Sequence, residues 1–498
     1  MKPMGTITKY YPFIDDDTKS ILDTLMDEAS NYYDFVGLLC KTVLENEVPI
    51  NLGYLAAVNA WWCRTEKNMN LIREKYGEVP CIRPWTHLHA TASSDQAKYH
   101  DAVVQAIEEA MDTSLEDWME TEIHLLHAFY HWPSHGDMPN LLEPIEKAEN
   151  LIRSNPRLTC FDSLLCAFKA MAKRREGDSK GAIPVYQRGQ QIAETHGDSL
   201  YKYMNQMGMA NTLRHFNIQE SLALFEELYD LAQNLEVPYL MAEVLNDSSM
   251  TFERAGEYDL AISCHIEGIK IFGGGDAPSL LLSRIYSTLG DGWRALEWAE
   301  EAFKWAENLE IPTLYLQKAW ALALLNKLEE AEHNLDIAHP LIMKVGNEGA
   351  LSEYYRISGV IEFKRGNLLD ALDFLEQALE ISEQSHRGGV QNIVFLDLVR
   401  VELAIESHSK DSTKGATLGK WLSKLEEYAI EYDYPGIRMY AALLKSEFYQ
   451  NNEQLKDALA ILQDALTITD SLGVQTLKQK IKSRIKELMQ LIQEKKVS

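Results

Sequence analysis

Four histidines, at positions 124, 127, 131 and 135, stand close together in the segment EIHLLHAFYHWPSH. Their separations of three and four residues would place the side chains on one stripe of an α-helix. Two histidines on one helix face are a geometry that zinc sites use, so His124, His127 and His131 are candidate metal ligands. The segment lacks H-E-x-x-H and an acidic ligand at metal spacing, which favours a partly buried or groove-lining polar stripe over a metal site.

Other patterns that could carry chemistry fail in their details. The segment GATLGKW at 415–421 has three residues between its glycines, and Trp421 stands where a phosphate loop needs Ser or Thr for Mg²⁺. The segment GGGD at 273–276 has no lysine after it and precedes Pro278, which favours a turn. The sequence contains neither G-x-S-x-G nor a Rossmann glycine pattern. We therefore expect no enzyme activity and no cofactor.

Composition narrows the class of protein. The 498 residues are 46% hydrophobic and 25% charged, which is typical of a folded globular chain. A formal charge of −27 would repel a phosphate backbone, so we expect no nucleic-acid partner. Six cysteines without a C-x-x-C pair favour a reducing compartment. No signal-peptide core and no apolar run of membrane-spanning length are present, so we expect a cytoplasmic protein without membrane insertion.

The chain repeats itself. AQNLEVPYL at 232–240 returns as AENLEIPTL at 306–314, and a frame of Gly, a small residue five positions later and another seven further on recurs. Small residues seven apart lie on one helix face and allow a neighbouring helix to approach, while the glycine can end the preceding helix in a left-handed conformation. The frame predicts helical hairpins that bury their apolar faces by stacking. Its members are Gly177, Ala182 and Gly189; Gly256, Ala261 and Gly268; Gly290, Ala295 and Ala302; and Gly366, Ala371 and Ala378, with Ala331 and Ala338 and also Ala458 and Ala465 matching without the glycine.

This frame resembles the tetratricopeptide repeat family, in an elongated form. LLLSRIYSTLGDGWRALEWAEEA at 280–302 and EYYRISGVIEFKRGNLLDALDFLEQAL at 353–379 carry the match, which extends over about 159–473. The resemblance implies an all-α fold, an α-solenoid of stacked helical hairpins that forms a right-handed superhelix. We expect an N-terminal helical region at 1–112 with a linker near 77–97. A repeat array of about nine units should follow at 113–473, the first unit and the 389–435 unit being degenerate, and a capping helix at 474–498.

In the tetratricopeptide family the first helix of each hairpin lines a concave groove. That frame, carried over residue by residue, implies eight partner-binding side chains, and these are Asn205, Met209, Asn246, Met250, Arg284, Gln317, Trp320 and Arg356. We expect a non-catalytic scaffold or adaptor that binds a protein or peptide there. The alternative is a ligand-regulated sensor in which a small peptide or metabolite in the groove repositions the N-terminal helical region.

Overall fold

Helices make up the regular structure throughout the computed structural model. It describes residues 4–90, 96–131, 138–273, 275–306, 309–384, 388–408, 415–431, 434–472 and 476–497, and no strand occurs within these ranges. The all-α fold predicted from the repeat frame is confirmed. No helix in the described ranges is both long enough and apolar enough to cross a membrane. The chain divides into two compact units, Met1–Leu245 and Asn246–Ser498.

Unit 1 begins with short helices and continues with helix pairs. Its first helices are α1 (Met4–Thr8), α2 (Asp16–Glu28), α3 (Tyr32–Glu45), α4 (Ile50–Trp62), α5 (Glu66–Tyr76), α6 (Arg83–Ala90) and α7 (Gln96–Met111). They are followed by α8 (Asp117–His131), α9 (Met138–Ser154), a 3₁₀ helix (Pro156–Phe161), α10 (Asp162–Arg175), α11 (Ser179–His196), α12 (Ser199–Leu213) and α13 (Ile218–Leu235).

One hydrophobic core runs through unit 1, from Ile7 to Val244. The sequence predicts that the N-terminal region ends at residue 112. The hydrophobic core continues across this residue, because side chains on both sides of it belong to the same cluster. The stretch expected to be a linker contains α6, and Trp85 on this helix is buried.

Helix α14 (Pro238–Ala255) contains the position in the chain, between Leu245 and Asn246, at which unit 1 ends and unit 2 begins. Unit 2 continues as successive helix pairs. These helices are α15 (Tyr258–Phe272), α16 (Asp276–Leu289), α17 (Gly292–Trp305), α18 (Pro312–Leu324), α19 (Leu328–Val345), α20 (Glu348–Arg365), α21 (Leu368–Gln384), α22 (Gly388–His408), α23 (Gly415–Glu431), α24 (Pro435–Asn451), α25 (Leu455–Leu472) and α26 (Thr476–Val497). Pro238 and Pro312 are the first residues of their helices, the position where the missing N–H of proline costs least.

The repeat frame produces the hairpins in the way the spacing predicts. The glycines 177, 256, 290 and 366 all have φ between 83° and 90°, the left-handed region that lets a helix end and the chain reverse. The small residues of the frame are buried at the seam between paired helices. This close approach lets the Ser352 hydroxyl donate to the carbonyl of Ala378 at 2.7 Å, and Ser163 donate to Gly189 in the same way at 2.7 Å.

The first and last helix pairs of unit 2 also meet. A Cβ added to Gly256, in the turn before α15, would lie 3.2 Å from the Cα of Gly436 at the start of α24 and 2.9 Å from Leu477 on α26. Leu477, Ile481 and Leu488 of α26 are buried in one cluster with side chains of α24 and α25. The role of α26 as a capping helix stays a prediction.

Candidate ligand-binding face

The first helices of successive hairpins in unit 2 lie side by side. Helix α16 contacts α18, α18 contacts α20, α20 contacts α22, and α22 contacts α24. This arrangement forms a continuous surface, which we call the first-helix face. Four of the side chains predicted to bind a partner stand on these helices, and they are Arg284, Gln317, Trp320 and Arg356.

Arg356 lies at the centre of a buried ionic cluster. Its Nη1 is 2.8 Å from Asp397 Oδ2, while Nη2 and Nε are 2.6 and 2.8 Å from the two carboxylate oxygens of Glu353. The guanidinium carbon is 3.9 Å from the centre of the Trp320 ring, and neither side chain is more than slightly exposed. Arg356 and Trp320, both predicted to bind a partner, contact each other rather than open solvent. Both side chains are therefore parts of the packed interior of unit 2 in this conformation.

Arg284 is also engaged within unit 2. Its Nη2 is 2.6 Å from Glu253 Oε2, and this carboxylate is the main cause of the raised pKa of the guanidinium. Gln317 is 8% exposed and Met250 is half-buried. The charges of Arg284 and Arg356 on the first-helix face are thus neutralised by carboxylates within unit 2.

Asn246 is held inside its own hairpin by His265. The Nδ1 of His265 donates to Asn246 Oδ1 at 2.8 Å, and its Nε2 is 2.5 Å from the hydroxyl oxygen of Ser249. Burial lowers the pKa of His265 to about 3, with a further contribution from Arg284, so the ring is neutral at pH 7. This network joins α14 to α15, and no sequence motif pointed to it.

The two predicted residues in unit 1 are buried between helices. Asn205 has no exposed surface, and its side-chain nitrogen donates to the carbonyls of Ser163 at 3.0 Å and Tyr201 at 2.8 Å. Its amide also fills the space beside Gly189, where an added Cβ would clash at 2.0 Å. Met209 packs in a neighbouring apolar cluster and is 6% exposed. Asn205 in this conformation joins neighbouring helix pairs.

The histidine stripe lies on α8. His124 is buried, and burial lowers its pKa to about 4; its Nε2 is 3.7 Å from Glu120. His127 is half-buried, while the side chain of His131 and all of His135 lie outside the described residues. Within the described part of the chain, no group of three or more His, Cys, Asp or Glu side chains could hold a metal ion.

A cleft of about 520 Å³ opens at one end of the first-helix face. We call it the α22–α24–α26 cleft, and its lining residues are Arg400, Tyr440, Leu443, Leu444, Glu447, Lys480, Ser483, Arg484 and Glu487. The lining combines an apolar floor with three cations and two carboxylates, a composition suited to a polar ligand with an apolar part. The cleft was not predicted from the sequence, because residues 474–498 were expected to form a capping helix.

The cations of the cleft differ in their partners. Arg400 contacts Asp397 at 2.9 Å, and Arg484 contacts Glu487 at 2.7 Å and Gln450 at 2.6 Å. Lys480 lies 5.3 Å from the centre of the Tyr440 ring. Partial desolvation and the positive charge of Arg400 lower the pKa of Lys480, although its side chain is exposed.

Comparison with known proteins gives structural neighbours only. No protein-family model matches the sequence, and no curated protein is a significant match. A Rap protein complexed with competence and sporulation factor is 11% identical, covering 76% of this chain and 99% of the other with a TM-score of 0.41. The quorum sensor NprR from B. thuringiensis is 12% identical (70% and 99% coverage, TM-score 0.47). A tetratricopeptide repeat protein from Parabacteroides merdae is 16% identical (58% and 98%, TM-score 0.36). The organisation of this chain as successive helix pairs is seen in its own structure.

Proposed function

We propose that this chain is a non-catalytic binding protein, a scaffold or adaptor, that holds a protein or peptide segment against the first-helix face of unit 2. The observation that carries the proposal is the α22–α24–α26 cleft, which adjoins this face and has room for several side chains. A cytoplasmic location fits the six cysteines, all of which are described and unpaired.

The chemistry of the cleft selects among peptides. A carboxylate placed beside Lys480 would offset the repulsion from Arg400, and a charge-assisted hydrogen bond would replace water. Leu443 and Leu444 are half-buried and offer apolar surface to a neighbouring side chain of the same ligand. We therefore propose a peptide segment that has a carboxylate next to an apolar residue.

A displayed library of random peptides, panned on the full-length protein, tests the proposal. We expect enrichment of sequences in which Asp, Glu or the chain terminus stands beside an apolar residue. The Lys480→Met variant keeps the aliphatic stem but removes the charge, so the enriched peptides should bind it about tenfold or more weakly, the loss expected for one charge-assisted hydrogen bond.

Lys482→Met is the matched control, because Lys482 is an exposed lysine on the same helix outside the cleft lining. It should bind the enriched peptides as the unmodified protein does. The proposal fails if no peptide is enriched above background. It fails equally if Lys480→Met and Lys482→Met bind the enriched peptides with the same affinity.

A further inference from the structure

A second, smaller cavity lies within unit 1, away from the cleft and unrelated to the proposed function. It measures about 20 Å³, the space of one or two water-sized groups. Six aromatic side chains contribute to its lining, and they are Trp61, Trp62, Trp85, Phe129, Phe168 and Tyr201. Leucine and methionine side chains complete the apolar wall, and Glu122 is the acidic residue among the lining side chains.

The aromatic rings meet one another edge to face. The Trp61 ring makes such contacts with Trp62 at 4.9 Å, with Trp85 at 5.6 Å and with Phe129 at 5.4 Å between ring centres. Trp62 and Phe129 are half-buried, whereas Trp61 and Trp85 are almost completely covered. The cavity therefore has a deep end and a mouth, and aromatic rings make up most of its wall.

Glu122 is 2% exposed, and its two carboxylate oxygens differ in their partners. Oε1 accepts hydrogen bonds from Tyr10 at 2.7 Å and from Tyr201 at 3.0 Å. Oε2 is buried and, like the hydroxyl of Tyr54 that acts on the same carboxylate, makes no hydrogen bond with the residues that the structure describes. A buried carboxylate oxygen without a partner carries a large desolvation cost, so a donor that enters the cavity gains more here than at the surface.

Lys9 is a buried cation that acts on Glu122. Its Nζ is 2.7 Å from Asp198 Oδ2 and 3.4 Å from the centre of the Tyr201 ring. If Glu122 is ionised, this buried group has two carboxylates for one ammonium. Burial raises the pKa of Glu122, which is the effect expected of an acidic group whose charge is incompletely compensated.

We propose that this cavity binds an alkylammonium group, with an N–H donating to Glu122 Oε2 and the cation resting against the aromatic lining. Aromatic rings attract an ammonium through their quadrupole, and a carboxylate supplies the hydrogen-bond acceptor. The indole nitrogens of Trp61 and Trp85 also lack partners among the described residues. They are neutral donors, whose desolvation costs less than that of a carboxylate, so Glu122 decides the charge of the ligand.

Titration of the full-length protein with methylammonium chloride, followed by tryptophan fluorescence and calorimetry, tests this assignment. We expect a saturable signal with methylammonium and none with methanol, a neutral molecule of similar size, at equal concentration. A parallel titration with N-acetyl-lysine amide distinguishes the source of the group. Binding of methylammonium alone indicates a free amine, whereas binding of the lysine derivative indicates the side chain of a partner.

Glu122→Gln keeps the shape of the side chain and removes its charge, so methylammonium should bind about tenfold or more weakly. Glu120→Gln on the same helix is the control, because Glu120 lies outside the cavity lining. If Glu122→Gln does not fold, Trp62→Leu at the half-buried mouth replaces it, and the loss should be about threefold or more. The inference is overturned if no amine saturates, if methanol gives the same response, or if the folded cavity variants bind as the control does.

Discussion

Arg356 offers the sharpest test of how unit 2 is held together. The substitution Arg356→Met removes the guanidinium but keeps a long apolar side chain against Trp320. Asp397 would retain Arg400 as a partner, at 2.9 Å, while Glu353 would lose both of its bonds to the guanidinium. Breaking a buried ion pair by removing one partner typically costs about 3–5 kcal/mol, because the remaining charge stays in a poorly solvated site.

The same helix contains a matched control. Arg365 on α20 also contacts two carboxylates, Glu332 at 2.5 Å and Glu362 at 2.9 Å, but its side chain is 29% exposed whereas that of Arg356 is fully covered. Water solvates the carboxylates after Arg365→Met, and surface pairs contribute about 0–1 kcal/mol. For a unit of this size, 1 kcal/mol corresponds to about 2–4 °C in the midpoint of thermal unfolding.

Calorimetry of the two variants and the unmodified protein measures the difference. We expect Arg356→Met to lower the midpoint of one transition by about 6–20 °C and Arg365→Met to lower it by about 4 °C at most. Equal midpoints for the two variants would show that burial does not determine the contribution of these arginines. Such a result would refute the argument that Arg356 is a structural residue.

Three further predictions concern the repeat turns and the histidine stripe. Gly366 has φ 85° with no atom within 4 Å of an added Cβ, so Gly366→Ala should lower the free energy of unfolding by about 1 kcal/mol through backbone strain alone, as measured by urea denaturation. Glu453 has φ 60°, and Glu453→Gly should raise that free energy by a similar amount. His124 has a pKa lowered to about 4, so its contribution to stability is full above about pH 6.5 and is lost as the pH falls toward 4. His124→Gln should therefore reduce the slope of stability against pH between 6 and 4.5 by up to about 1.4 kcal/mol per pH unit, and an unchanged slope would contradict this burial argument.

The hairpins were predictable because their signals are local. A glycine at a fixed distance before a small residue specifies a left-handed turn followed by a close helix contact, and both are properties of a few neighbouring residues. Two repeats lack this glycine but have the same left-handed turn. Asn326 and Glu453 stand five residues before Ala331 and Ala458, and both have φ 60°. The repeat frame therefore requires a left-handed backbone conformation at this position. Glycine is the residue that adopts this conformation at the lowest free-energy cost.

The state of the predicted binding residues was less accessible from sequence. The family frame indicates which side chains of a first helix point toward the neighbouring first helices, and Arg356 does so. It cannot indicate that Asp397, 41 positions later, neutralises Arg356. That contact depends on how far successive hairpins rotate, which no single repeat encodes. The core that joins residues 4–112 to the later helices of unit 1 is hidden for the same reason, because its contacts link segments far apart in sequence that share no repeat.

The neutralised charges explain why the cleft is the better place to look for a ligand. A peptide that competed for Arg356 or Arg284 would have to displace Glu353, Asp397 or Glu253, and it would leave each displaced carboxylate in a poorly solvated position. Displacing one of these carboxylates costs several kcal/mol of binding free energy. Only a ligand that also unfolds part of the first-helix face could bind at these arginines. At Lys480 no protein carboxylate has to be displaced. An incoming carboxylate would displace water there and offset the repulsion from Arg400. Binding there needs no rearrangement of the packed ionic cluster, so a rigid array can bind at its end while its centre remains folded.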